Sequence, residues 1–135
     1  TARFALPEAH VGWSPLAGGL QRLPRIVGEK RALELVLTGR IIDAAEAERI
    51  GIVSAVTGPD SLMEKAHAMA QSIVRCAPLA IACNRDVVTR SFDFSLAQAL
   101  DISNFPSATR VLESEDAVEG KRAFVEKRSP VWRGR

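Results

Sequence analysis

The sequence predicts the helix-rich part of an α/β protein. Its 135 residues contain only two short runs with strand character, "TARFALPE" at the beginning and "IVSAV" at 52–56. Most of the remainder carries apolar residues at helical spacing, above all beyond Ser61. That balance is lopsided for an α/β domain unless most strands belong to a preceding part of the fold. We therefore divide the chain into 1–60, with strands and short helices, and 61–135, which is helical.

The bulk composition excludes several classes of protein. Hydrophobic residues make up 47% and charged residues 25%, which is ordinary for a globular domain. The net charge of +2 is small, its basic residues are scattered, and tyrosine is absent, so we expect no nucleic-acid partner. No apolar run is long enough for a membrane span. Cys76 and Cys83 are typical of thiols in a reduced compartment, which favours a cytoplasmic protein, or a mitochondrial-matrix protein if the source is eukaryotic.

Two helices are predicted after the first strand. Ser14 and Pro15 predict a helix start, as N-cap and first helical residue, and Pro24 predicts a kink or break in that helix. The next helix is predicted over 29–40, where apolar residues recur at i, i+3 and i+4 and Gly39 is a suitable terminator.

A short helix and a strand complete the first part. Asp43 is the predicted N-cap, with Glu46 three residues later as in a capping box, and Gly51 ends the helix. The β-branched run 52–56 then predicts a short strand, followed by a turn.

The second part is predicted to contain only helices. An amphipathic helix follows Ser61, Pro78 begins the next one, and further helical sequence is interrupted at Pro106. The last helix lies within 114–128, with Ser114 as its N-cap.

Glu8 is the strongest candidate for chemistry that the residues alone offer. It follows a proline in the loop after the first strand, where a rigid scaffold can hold a carboxylate for acid/base work. A lone glutamate is nevertheless more often solvated. His10 and His67 are the only histidines, and their commoner roles are loop packing and solvation. No dinucleotide, phosphate-loop or zinc motif is present, so no metal site is expected.

Three stretches together resemble the enoyl-CoA hydratase/isomerase (crotonase) family. They are "FALPEAHVGWSPLAGGLQRLPRIVG", "RALELVLTGRIIDAAEAERIGIVSAV" and "EGKRAFVEKRSPVW", which span nearly the whole chain. The resemblance is to the C-terminal half of such an enzyme and implies the ββα-spiral fold. It assigns 1–60 to the end of the spiral core with the acidic active-site loop, and 61–135 to the helical region of the family's trimers.

The resemblance implies that Glu8 is the catalytic glutamate. In the family's hydratases this residue works with a second glutamate to add water to an enoyl thioester, and in isomerases it moves a proton between carbons. The second glutamate and the two N–H donors of the oxyanion hole belong to a part of the family that this sequence does not contain. Hydratase, isomerase and carnitinyl-CoA-type dehydratase therefore stay open, as does a non-catalytic fragment.

The resemblance also implies substrate-binding residues. Phe124 and Lys127 match positions that approach coenzyme A, often that of a neighbouring subunit; without the resemblance, Phe124 would be read as core and Lys127 as a solvated charge. Leu16 replaces a glycine that family hydratases commonly have near the acyl group, and Trp13 adds bulk in the same loop. The implied partners are an acyl-CoA thioester, without a separate cofactor, and further copies of the chain in a trimer or dimer of trimers.

Overall fold

The chain folds into two compact units, Thr1–Ser61 and Leu62–Arg135. The structure is a computed structural model that describes all of residues 1–135. The boundary lies next to the division predicted from the sequence, while the roles given to the two parts stay predictions. None of the helices combines the length and hydrophobicity of a membrane span.

The first unit contains two short strands and three helices: β1 (Arg3–Phe4), α1 (Gly19–Val27), α2 (Glu29–Thr38), β2 (Ile42–Asp43) and α3 (Ala44–Arg49). The strands pair in antiparallel fashion, with Phe4 opposite Ile42. Single turns of 3-10 helix cover Glu8–Val11 and Pro59–Ser61.

The core of the first unit lies between α2, β2 and α3. Its buried members are Leu35, Ile42, Ala47 and Ile50, with Phe4, Leu23, Val27, Ile52 and Val53 packed against them. Each large apolar side chain that is removed from water here stabilises the unit by about 1.5–3 kcal/mol. Through Leu35 this cluster holds α2.

Several predicted boundaries in this unit are confirmed. The helix predicted over 29–40 is α2, and Gly39 ends it in the left-handed conformation, with φ of 59°. Asp43 caps α3, because its carboxylate accepts the amide N–H of Glu46 at 2.8 Å. The reciprocal half of the capping box is absent, since the Glu46 carboxylate binds Arg40 instead.

The predicted helix start at Ser14 and Pro15 is wrong. The helix begins at Gly19, after Gly18 with φ of 103°. The Ser14 carbonyl accepts the N–H of Leu16 in a tight local turn, at 2.8 Å, so the chain changes direction before the helix begins. A backbone angle of this kind is open to glycine and costly for other residues.

The predicted strand at 52–56 is also wrong. The N–H groups of Ile52 and Val53 both donate to the Ala47 carbonyl, at 2.8 and 3.4 Å, and so satisfy the end of α3. Their side chains pack on the core of the first unit. The β-branched composition therefore reflects burial beside a helix end and not pairing in a sheet.

Of the kink or break predicted at Pro24, the break does not occur, because α1 continues through Pro24 to Val27. A proline inside a helix removes the one hydrogen bond that its own nitrogen would donate. The carbonyl of Pro24 is still used, and it accepts the N–H of Gly28 at 2.9 Å.

The second unit contains only helices: α4 (Leu62–Val74), α5 (Pro78–Arg90), α6 (Leu96–Ala99), α7 (Pro106–Leu112) and α8 (Glu115–Glu126). The starts predicted at Pro78 and Ser114 are confirmed, and the Ser114 hydroxyl accepts the N–H of Ala117 at 3.0 Å. The interruption predicted at Pro106 is the first residue of α7.

Packing in the second unit centres on Phe105. This side chain is fully buried and meets Phe94 edge to face, with ring centroids 5.7 Å apart. In contrast, every residue of α4 is exposed, including Leu62, Met69 and Ile73 of its apolar stripe. The second unit therefore presents much apolar surface outside its small core.

Candidate active site

Glu8 lies at the start of the single 3-10 turn that follows β1. The turn is closed on both sides of it, since the N–H of His10 donates to the Pro7 carbonyl at 2.9 Å and the N–H of Trp13 donates to the Glu8 carbonyl at 3.0 Å. Gly12 ends the turn in the left-handed conformation. The backbone of Glu8 is therefore held by local hydrogen bonds rather than by a long helix or strand.

The carboxylate of Glu8 is half-buried, and its Oε2 atom is buried without a hydrogen-bond partner. It is the only buried side-chain nitrogen or oxygen atom in the chain of which this is true. Leaving a buried polar atom without a partner costs about 1–3 kcal/mol, and more for a charged group. Buried polar atoms without a partner are rare in folded proteins, and one recognised reason for them is a catalytic role.

The loop that carries Glu8 rests on the C-terminal end of α2. The His10 Nε2 atom lies 2.8 Å from the carbonyl oxygen of Thr38. Gly39 is buried beneath the loop, and a Cβ atom on it would lie 3.2 Å from the Pro7 Cα atom. The contact of His10 with Thr38 was not predictable from the sequence, because no local pattern links positions 28 residues apart.

Trp13 and Leu16 are both largely exposed, at 73% and 70%. Trp13 is tied to Glu8 through the backbone, whereas its indole ring stands free of the core. Both side chains are exposed in the loop that follows Glu8, and their assignment to an acyl pocket stays a prediction.

The first unit also carries an apolar groove. It has a volume of about 270 Å³, and its lining includes Phe4, Leu6, Gly19, Leu23 and Ile26. Glu8, Trp13 and Leu16 do not line it. The structure therefore does not join the predicted catalytic and acyl-pocket residues into a single cavity.

Arg40 borders this groove but is not free to bind an anion. Its guanidinium donates two hydrogen bonds to the Glu46 carboxylate, at 2.7 and 2.9 Å, and two more to the Glu34 carboxylate. Arg40 holds the pKa of both glutamates below the usual value, while the two carboxylates raise the pKa of Arg40. This bridge was not predictable from the sequence, because a spacing of six residues brings no side chains together on a helix.

Phe124 and Lys127 lie at the end of α8 in the second unit. Phe124 is 85% exposed, so its interpretation as a core residue is wrong. Lys127 ends the helix with φ of 53° and is the one residue other than glycine with a positive φ. A lysine in this conformation is uncommon, which draws attention to its position.

Arg128, next to Lys127, is fully engaged. Its guanidinium donates to both oxygens of Glu119, at 2.6 and 2.9 Å, and to Glu126. Lys127 makes no ion pair, so it is the free cation of this helix end. No group of three or more His, Cys, Asp or Glu side chains is arranged to hold a metal ion.

Comparison with known proteins gives consistent results. The family model described as enoyl-CoA hydratase/isomerase matches residues 1–135. The chain is 42% identical over 140 residues to carnitinyl-CoA dehydratase of Citrobacter koseri and 44% identical to that of Escherichia coli. Each of these matches covers 99% of the chain and 52% of the relative, so the chain spans about half the length of the curated relatives it matches.

Solved structures agree with the sequence matches. An enoyl-CoA hydratase from Bacillus anthracis superposes with a TM-score of 0.93 at 36% identity, over 100% of this chain and 52% of that one. An enoyl-CoA hydratase from Mycobacterium tuberculosis gives 0.90 at 33% identity, over 99% and 53%. These structures confirm the crotonase fold, of which this chain supplies a helix-rich part. The chain belongs to the enoyl-CoA hydratase/isomerase family.

Proposed function

We propose that the protein containing this chain catalyses the reversible addition of water to a 2-enoyl-CoA, with Glu8 as an acid/base group. The observation that carries the proposal is the Glu8 carboxylate, whose Oε2 atom is buried without a partner in a loop fixed on both sides. Family membership supplies the reaction class. A positioned carboxylate of this kind can take a proton from water or return one to carbon.

The proposed reaction adds a hydroxyl group to the β carbon and a proton to the α carbon of the acyl chain. Glu8 holds and activates the water, and a second glutamate shares the proton transfers. The enolate oxygen of the thioester is stabilised by two backbone N–H groups. These N–H groups and the second glutamate are proposed to come from a part of the family's fold that this chain does not contain, so we expect the 135-residue chain alone to be inactive.

Substrate contacts are proposed for both units. Trp13 and Leu16, which are exposed in the loop after Glu8, border the acyl group. Phe124 offers an exposed ring to the nucleotide of coenzyme A, and the unpaired Lys127 ammonium binds its phosphate. The proposal requires no cofactor, because coenzyme A enters as part of the substrate.

The proposed assembly is a homo-oligomer, a trimer or a dimer of trimers. Its support is the apolar surface of the second unit, where α4 is exposed along its whole length. Apolar surface of this extent is usually covered by another chain. Lys127 and Phe124 would then serve a coenzyme A bound at a neighbouring subunit.

A second candidate function is the dehydration of carnitinyl-CoA. It is favoured by relatives of that name that are 42–44% identical to this chain. The two candidates perform the same chemistry in opposite directions and differ in the acyl group, which in carnitinyl-CoA carries a quaternary ammonium. The exposed Trp13 ring suits such a cation, because the face of an indole attracts it. Double-bond isomerisation remains a further alternative within the family.

One experiment tests the role of Glu8 and separates the candidates. The full-length protein is assayed with crotonyl-CoA and with carnitinyl-CoA, as wild type, Glu8→Gln and the exposed control Glu29→Gln. We expect Glu8→Gln to lower kcat by about 10²- to 10⁴-fold with substrate binding retained, and Glu29→Gln to have no effect. The preferred substrate of the wild type decides between the two reactions, and normal turnover by Glu8→Gln would reject Glu8 as the acid/base group.

A further inference from the structure

We propose that His10 is a positioning residue, which fastens the loop carrying Glu8 to the end of α2 and thereby sets where the Glu8 carboxylate points. This inference rests on the proposed catalytic role of Glu8. His10 itself is exposed and is not assigned any contact with substrate. Its role follows from what its ring touches on the other side of the loop.

The hydrogen bond between His10 and Thr38 determines which ring nitrogen of His10 carries a hydrogen. The Nε2 atom lies 2.8 Å from the Thr38 carbonyl oxygen, which can only accept. Nε2 must therefore carry the hydrogen, in the neutral tautomer as well as in the cation. Thr38 is the last residue of α2, and its carbonyl is one of the four that a helix leaves without a partner. The bond therefore satisfies both groups.

The packing at Gly39 is a second and independent observation. A Cβ atom at this position would lie 2.9 Å from the His10 Nε2 atom and 3.2 Å from the Pro7 Cα atom. The first distance is shorter than real Cβ atoms show and the second is tighter than most of their contacts, so the loop lies directly on the backbone of Gly39. Pro7 and His10 stand on either side of Glu8 in the chain. Both lie against Gly39, and His10 also contacts the Thr38 carbonyl.

This arrangement makes the position of the Glu8 carboxylate depend on the loop backbone. The Oε2 atom accepts no hydrogen bond that could fix it from its own side. The turn Glu8–Val11 therefore sets the orientation of the Glu8 carboxylate, and this turn is held by the hydrogen bond to the end of α2. A displacement of about 1 Å in a reacting group can lower a rate by about a hundredfold.

Three variants of the full-length protein test the inference. His10→Leu removes the donor, His10→Gln keeps an N–H at a similar reach, and His67→Leu makes the same change on the exposed face of α4. With the substrate that the wild type turns over, we expect His10→Leu to lower kcat about ten- to hundredfold with KM within about twofold. We expect His10→Gln to recover most of the lost rate and His67→Leu to behave as wild type.

A second measurement does not depend on turnover. We expect the backbone amide resonances of Glu8 and Trp13 to shift in His10→Leu and to return toward wild type in His10→Gln. If His10→Leu does not fold, His10→Asn replaces it, because its shorter amide remains polar but does not reach the Thr38 carbonyl. The same losses are then expected.

The outcomes separate this inference from the proposed function. A normal kcat in His10→Leu, beside an inactive Glu8→Gln, would overturn the positioning role and leave the role of Glu8 intact. Equal losses in His10→Leu and His10→Gln would also overturn it, because the hydrogen bond would not be the cause. If Glu8→Gln is fully active, the proposed function fails, and the amide resonances alone decide whether His10 positions the loop.

Discussion

The two units of the chain differ in the interactions that stabilise each of them internally. In the first unit the buried residues that form the central cluster are all apolar, namely Leu35, Ile42, Ala47 and Ile50. In the second unit the buried residues include Ser114 and Asp116, and Phe105 and Ala123 are the only buried apolar ones. The first unit therefore has a small apolar core. The second unit has polar groups among its few buried residues and leaves much of its apolar surface exposed to solvent.

The C-terminal segment shows what the polar contacts of the second unit do. Asp116 is 3% exposed, and its carboxylate accepts the N–H groups of Arg133 and Gly134 at 2.7 and 2.9 Å. Trp132 donates its indole N–H to the Arg75 carbonyl at 2.8 Å and packs over Gly120. One buried carboxylate and one indole thus fasten a segment that has no regular secondary structure.

The largest effect is expected in the apolar core of the first unit. Leu35→Ala should destabilise the protein by about 3 kcal/mol, because it removes buried contacts and leaves a cavity. Leu37→Ala on the same helix, where the leucine is 71% exposed, should change stability by about 0.5 kcal/mol or less. Denaturant unfolding measures both. Equal effects would show that the cluster around Leu35 is not the core that stabilises the first unit.

The next effect probes the polar fastening of the second unit. Asp116→Asn should cost about 2 kcal/mol, because the amide accepts at one oxygen only and leaves a backbone N–H of the tail without a partner. Glu115→Gln changes the neighbouring exposed carboxylate, which pairs with Arg133 and Arg135, and should cost about 0.5 kcal/mol or less. Thermal unfolding compares the two. An unchanged Tm in Asp116→Asn would mean that the tail does not depend on this carboxylate.

Local patterns predicted the parts of the fold whose causes lie within a few residues. Gly39, Asp43, Pro78 and Ser114 mark helix ends, and all four are confirmed. The strand at 52–56 was mispredicted, because its amide groups are taken by the Ala47 carbonyl, which no composition signal reveals. Tertiary contacts of this kind override local preference.

The candidate site likewise has features that local sequence patterns predict and features that depend on the folded chain. The catalytic role of Glu8 was predicted from the family resemblance and stays a prediction, while the structure adds that one of its carboxylate oxygens is buried without a partner. The support of its loop was not foreseen, since Thr38 and Gly39 are brought beneath it only by the folded chain. Glu8 does not line the apolar groove of the first unit. The sequence could not indicate this, because the walls of the groove come from β1, α1, α2 and β2.

Lys127 allows stability and binding to be separated. Lys127→Gly should stabilise the second unit by about 0.5–1 kcal/mol, because glycine adopts the left-handed conformation without strain. It should also raise the KM for the acyl-CoA about three- to fivefold if the ammonium binds phosphate. Lys127→Ala removes the same charge but keeps the strain, so it should raise KM without the gain in Tm. A KM unchanged in both variants would remove Lys127 from the coenzyme A site.

The smallest effect is expected when acid protonates Glu119, the partner of Arg128. The hydrogen bonds from Arg128, and then the N–H of Val131, lower the pKa of Glu119 to about 2. Because the folded pKa is lowered from 4.5, the stabilising contribution is complete above that value and is lost as the pH falls toward about 2. Arg40 lowers the pKa of Glu34 and Glu46 in the same direction in the first unit.

Glu119→Gln tests this in a series of thermal unfolding curves at decreasing pH. Above pH 4.5 the variant should be slightly less stable than wild type, and the difference should shrink as the pH approaches about 2, where wild-type Glu119 becomes protonated as well. Glu64→Gln, on the exposed helix α4, serves as the control and should follow the wild-type curve throughout. A difference that stays constant down to the lowest pH would show that the Glu119 side chain stabilises the protein through its shape and not through its charge. The attachment of the C-terminal segment at Val131 would then not depend on an ionised Glu119.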